Sequence, residues 1–148
     1  MATINRETTV QAAADTLWSN LFEDPNRWPD WLTPIRGLEE RASGPVRSGT
    51  ELSARLGNMG GKIRVTEATR GQRLRWKAGP PMLLAMGTGM KGSLEFQRAG
   101  NGSTRVVLKM KSPLMLGPMM KMMSGLNPKD EMTKTINRIK ELGEKSEG

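Results

Sequence analysis

The sequence predicts an α+β fold: a seven-stranded antiparallel sheet, two short helices between its first and second strands, and a long C-terminal helix covering one sheet face. Three observations carry that expectation. Between residues 35 and 112, apolar and charged side chains alternate in runs broken at short intervals by Gly, Pro and Asn, the pattern of an antiparallel meander. Residues 12–22 and 128–142 instead repeat apolar side chains at helical spacing. Between the first helix and the meander, Trp28-Pro29-Asp30-Trp31 breaks the helical run and plants two aromatic surfaces, each able to bury about 150–250 Å².

The first strand is read over residues 3–10, with Ile4, Thr8 and Val10 on one face. Residues 12–22 form an amphipathic helix through Ala13, Leu17, Leu21, Trp18 and Phe22. Glu23-Asp24-Pro25 ends it. Asp24 caps a short helical turn with Pro25 at its first position, and that turn carries both tryptophans. Strands are expected at 35–42, 50–57, 62–69, 73–78, 83–98 and 103–112, separated by segments such as Ser43-Gly44-Pro45, Gly57-Asn58-Met59-Gly60-Gly61 and Gly100-Asn101-Gly102. Gly87, Gly89 and Gly92 are expected to bend or bulge the longest of them. Leu114–Gly125 is apolar apart from Lys121. Asn127-Pro128-Lys129-Asp130-Glu131 then opens the last helix with a cap, a first-position proline and acids in the first turn. Met132, Ile136, Ile139 and Leu142 give that helix one apolar stripe. The order is β-αα-β6-α, with no repeat or linker, so residues 1–148 are read as one domain.

Alternation sorts the strands by face. Leu52, Ala54 and Leu56 share one side with Ile63, Val65, Leu74, Trp76, Ala78, Leu94, Phe96, Val106, Leu108 and Met110. The other side carries Arg55, Lys62, Arg64, Arg73, Arg75, Lys77, Arg105, Lys109 and Lys111 against Glu51 and Glu95. One face is therefore apolar and needs a cover, and the other is wet and strongly basic.

Composition excludes several chemistries. The formal charge is +8 and the isoelectric point is near 10.3. There is no Cys and no His, which removes disulfides, thiol nucleophiles, the commonest general base and the commonest metal ligand. Scattered Asp and Glu offer no metal spacing, so no cofactor and no metal are expected. No run of about 18 apolar residues spans a membrane. Met1–Glu7 lacks a signal-peptide core, and a cytoplasmic location is expected.

The helix with Trp18, the Trp28–Trp31 pair and the strand Val65-x-Glu67 before Leu74-x-Trp76, in this order and spacing, resemble the START-like (SRPBCC) superfamily over residues 3–145. The polyketide cyclase/dehydrase and lipid-transport branch is the most similar. The resemblance implies a helix-grip fold, in which the seven-stranded sheet wraps around the long C-terminal helix and leaves an internal cavity for apolar or amphipathic ligands. It implies no shared catalytic signature.

Candidate binding residues follow from face and chemistry. Trp28, Trp31, Trp76 and Phe96 supply aromatic surface. Met86, Met90, Met110, Met119 and Met123 supply flexible, polarizable thioethers. Packing alone would also account for all of these residues. Arg6 shares parity with Ile4 and can meet a carboxylate or phosphate. Glu67 shares parity with Val65, and an inward glutamate in an apolar cavity has a raised pKa suited to proton transfer. For both strand-end positions the residues favour a surface ion pair, with the ligand or proton-transfer role as the alternative.

The expected function is binding or transport of a hydrophobic small molecule, lipid- or polyketide-like, in a cavity of several hundred Å³. A cyclase or dehydratase using the same cavity is the alternative, although no catalytic constellation is recognisable. A third reading is docking through the basic sheet face. Its partner would be the ribosome, nucleic acid or an anionic membrane surface; the absence of interleaved aromatics argues against nucleic acid, and solvation alone also accounts for a basic sheet face.

Overall fold

The computed structural model describes residues 2–80, 89–112 and 128–147. Its elements run β1 (Ala2–Val10), α1 (Ala14–Leu17), a π-helical turn (Trp18–Phe22), a 3-10 turn (Pro25–Arg27) and α2 (Trp28–Trp31). They continue with β2 (Ile35–Leu38), β3 (Glu51–Leu56), β4 (Met59–Thr69), β5 (Arg73–Gly79), β6 (Met90–Gly100), β7 (Ser103–Ser112) and α3 (Pro128–Glu147). The strands form one antiparallel sheet in the order β1-β7-β6-β5-β4-β3-β2. The α+β helix-grip expectation is met. The chain meanders from β2 to β7, and β1 adds beside β7.

Alternation sets the two faces as the sequence implied. Leu52, Ala54 and Leu56 on β3, Leu74 and Trp76 on β5, and Leu94 and Phe96 on β6 are buried on the inner face, with Val106 and Leu108 of β7 beside them. α3 covers that face from the β1 side with Met132, Ile136 and Ile139. Along one flank, Arg6 Nε donates to Thr133 Oγ1 (3.0 Å), Lys140 Nζ to the Thr9 carbonyl (2.9 Å), and Gln11 N–H to Glu144 Oε2 (3.1 Å). From Thr133 to Glu144 the helix rises about 16 Å, the same as the strand from Arg6 to Gln11, so α3 and β1 run side by side. Along the other flank, Arg138 Nε donates to the Asp30 carbonyl (3.1 Å). Near the helix start, Thr33 Oγ1 donates to the buried Glu131 Oε2 (2.6 Å), and Arg36 pairs with Oε1 at 3.3 Å.

Gly143 allows this close approach. A β-carbon there would lie 2.5 Å from Leu17 Cδ2 and 2.8 Å from Val10 Cγ1.

Four details depart from the sequence reading. The helix expected over 12–22 is α-helical only over Ala14–Leu17 and then opens into a π turn, with Glu23 N–H donating to the Trp18 carbonyl (2.8 Å). β2 stops at Leu38, well short of residue 42. Gly60 and Gly61 belong to β4, leaving Gly57-Asn58 as the turn, and Gly61 fits under Leu56, whose Cδ1 would be 2.7 Å from an added β-carbon. Gly92 neither bends nor bulges β6: it pairs in register with Trp76. The expected strand over 83–98 is described only from Met90.

Candidate functional site

The inner face closes at one end around an aromatic cluster. Asp24 accepts from Asn26 N–H (3.0 Å) and starts the 3-10 turn at Pro25, as its sequence position implied. That turn leads directly into α2 and swings Trp28 and Trp31 back under the sheet. Their ring centroids are 5.3 Å apart and lie 5.9 and 6.1 Å from Trp76. Phe22 continues the cluster, 4.9 Å from Trp31 and 5.1 Å from Phe96, and Trp18 stands edge-on to Phe96 at 6.1 Å. Tilted and edge-to-face pairs of this kind add about 0.5–1.5 kcal/mol each beyond the area they bury.

The π turn and the indoles are complementary. A helix end leaves its last carbonyls without intrahelical donors. Trp28 Nε1 donates to the Phe22 carbonyl (3.0 Å) and Trp31 Nε1 to the Leu21 carbonyl (2.8 Å). Both indoles are fully buried, with their polar edges satisfied by backbone.

A second apolar group lies towards the other end of the inner face. Ile4, Ala78, Met90 and Met110 are partly exposed, and the register places them together: Ile4 opposite Met110, Met110 opposite Gly92, and Ala78 opposite Met90. Trp76 forms the wall between this apolar patch and the sealed cluster. Its indole lies across Gly92, where a β-carbon would come within 2.3 Å of the ring.

Arg6 is on the helix-facing side of β1, as its parity implied. It is half-buried, and besides Thr133 its Nη1 donates to its neighbour's carbonyl at Asn5 (2.9 Å). It borders the patch, because Ile4 precedes it on the same side of β1.

Glu67 is placed differently. A β-bulge between Val65 and Glu67 sets Glu67 opposite Arg75, and two successive residues, Thr66 and Glu67, occupy the outer side. Glu67 pairs there with Arg73 (3.2 Å) and Arg75 (3.5 Å). Strict alternation from Val65 cannot detect the extra residue that reverses the parity. Met86, Met119 and Met123 lie outside the described residues.

The sequence reading took Gly92 for a bend or bulge and did not single out Gly143; these two glycines let an indole and a helix approach the sheet. Their signal was position alone, since neither sits in a turn motif. Among the described residues no cluster of His, Cys, Asp or Glu could hold a metal ion, and no helix is long and apolar enough to cross a membrane.

A family model described as polyketide cyclase / dehydrase and lipid transport matches residues 1–144. No curated protein matches significantly. Solved structures share the fold at low identity. The Aha1 dimer from Colwellia psychrerythraea is 17% identical with a TM-score of 0.72, each chain covered in full. Protein CV1439 from Chromobacterium violaceum is 16% identical with a TM-score of 0.66, covering 97% of this chain and 99% of its own. DynU16, from the dynemicin biosynthetic locus, is 17% identical with a TM-score of 0.60 over 94% of this chain and 46% of its own.

Proposed function

Because the chain belongs to the polyketide cyclase / dehydrase and lipid transport family within the START-like superfamily, we propose that it binds a hydrophobic or amphipathic small molecule, lipid- or polyketide-like, between the inner sheet face and α3. The observation that carries this reading is the partly open patch of Ile4, Ala78, Met90 and Met110 against the wall of Trp76. Thioethers accommodate ligands of varied shape, whereas the packed indoles behind Trp76 resist rearrangement. The lining on this reading is Trp76, Met90 and Met110. Trp28, Trp31 and Phe96 back the wall, and Arg6 bonds the polar end of the ligand.

An enzymatic use of the cavity would need a proton donor or acceptor facing it. Glu67 lies on the opposite face and the buried Glu131 carboxylate is engaged by Thr33 and Arg36, so carriage accounts for the arrangement better than proton transfer. The test is native mass spectrometry of freshly purified protein, with solvent extraction and identification of what is released. A reproducible apolar adduct that Met110→Asp abolishes without unfolding the protein supports the proposal. An adduct that persists unchanged in that variant places the ligand elsewhere and refutes it.

A further inference from the structure

The strand register aligns cations on the outer face in a way that no single strand shows. Arg64 lies opposite Lys77, Lys77 opposite Lys91, and Lys91 opposite Lys111, a straight row across β4, β5, β6 and β7. Strands are about 4.8 Å apart, so the row is about 14 Å long. A second row, two residues further along each strand, holds Arg75 and Lys109 on either side of Ser93. Like charges placed directly opposite one another destabilise a sheet.

Neighbouring acids neutralise only part of this array. Glu51 pairs with Lys62 and Arg64, and Glu67 with Arg73 and Arg75. Lys77, Lys91, Lys109 and Lys111 form no ion pair among the described residues. They line an open groove of about 450 Å³ floored by Trp76, Gly92 and Ser93, with Glu95 at its edge opposite Arg73.

We propose that this lysine array docks the protein on an anionic lipid surface. Charge complementarity selects the class of partner, and the shape of the face selects within it. The groove is too open to enclose a small ligand, which usually loses most of its surface on binding. The outer residues of β5, β6 and β7 include no aromatic side chain for stacking on bases, and among the described residues no helix lies on this face to enter a duplex groove. Four unpaired ammonium groups on a sheet face match the polybasic clusters that hold proteins to acidic leaflets through additive, sequence-independent attraction. The array lies on the opposite side of the sheet from α3, so docking leaves the inner face unobstructed.

The experiment is co-sedimentation with vesicles of phosphatidylcholine alone or mixed with phosphatidylglycerol, over a salt series. The expected result is binding only to the mixed vesicles, weakening as salt rises. Lys91→Gln should lower the partition about fivefold and Lys77→Gln/Lys91→Gln about 25-fold, the scale of one lysine near an acidic surface. Lys145→Gln makes the same change in net charge at the far end of α3 and should leave binding nearly unaltered. Both array variants should melt no lower than the parent, because they relieve repulsion, and that distinguishes lost docking from lost folding. Equal weakening by Lys91→Gln and Lys145→Gln would reduce the effect to net charge and overturn the proposal. So would failure to bind mixed vesicles at low salt, with or without retention on single-stranded RNA.

Discussion

Trp76 and Gly92 form a single packing unit: the indole of one strand occupies the volume that a β-carbon on the next would need, with Cε2, Cζ2 and Nε1 all within 2.5 Å of that position. A ring held between Trp28, Trp31 and the sheet cannot swing aside. Gly92→Ala should therefore destabilise the protein by about 1–3 kcal/mol through overpacking, despite removing a strand glycine. Thermal unfolding measures the loss. Combining it with Trp76→Leu should cost less than the sum of the two single changes, and simple additivity would refute the coupling.

Gly143 presents the opposite competition. An exposed helix glycine replaced by alanine gains up to about 1 kcal/mol of stability. Here the new methyl group meets Leu17 Cδ2 and the stiff Val10 Cγ1, so Gly143→Ala should lower the melting temperature. A higher melting temperature would show that α3 does not sit so close to β1.

The indole hydrogen bonds give a third prediction. Trp31→Phe removes the donor to the buried Leu21 carbonyl while keeping an aromatic ring, and should cost about 1–3 kcal/mol. Trp28→Phe should behave alike at the Phe22 carbonyl. Urea denaturation of both variants, giving values near zero, would separate the π turn from the tryptophans.

Glu144 supplies a pH dependence. The Lys140 ammonium hydrogen-bonded to its carboxylate, and secondly the Gln11 N–H, hold its pKa below the ordinary glutamate value. The folded value is lowered, so its contribution to stability is complete above the unfolded pKa and is lost as pH falls through the folded one. Glu144→Gln should be less stable than the parent at neutral pH, with the difference closing on acidification. A difference that stays constant down to acidic pH would remove Glu144 from the linkage.

Much of the fold was legible because burial enforces period: Leu52, Ala54 and Leu56, or Met132, Ile136 and Ile139, can be assigned to a face without partners. Features that depend on pairing were not legible. The bulge that turns Glu67 outward, the row from Arg64 to Lys111 and the indole over Gly92 each require knowing which strand lies alongside which, and in what register. The π turn was hidden for a related reason: the donors to its terminal carbonyls come from Trp28 and Trp31, beyond the helix itself. At the candidate site, face assignment placed Met110 and Arg6 together on the inner side. Alternation could not distinguish indoles that seal the core from one that borders the patch.

The chain contains no tyrosine, and all four of its tryptophans are buried in one connected cluster. Its intrinsic emission therefore originates at a single locus, with no solvent-exposed indole contributing background. Rings this close share excitation, so a quencher or acceptor reaching Trp76 dims the whole cluster at once. The fold carries a built-in optical reporter at the edge of the inner-face patch, and occupancy can be followed by light alone, without a label.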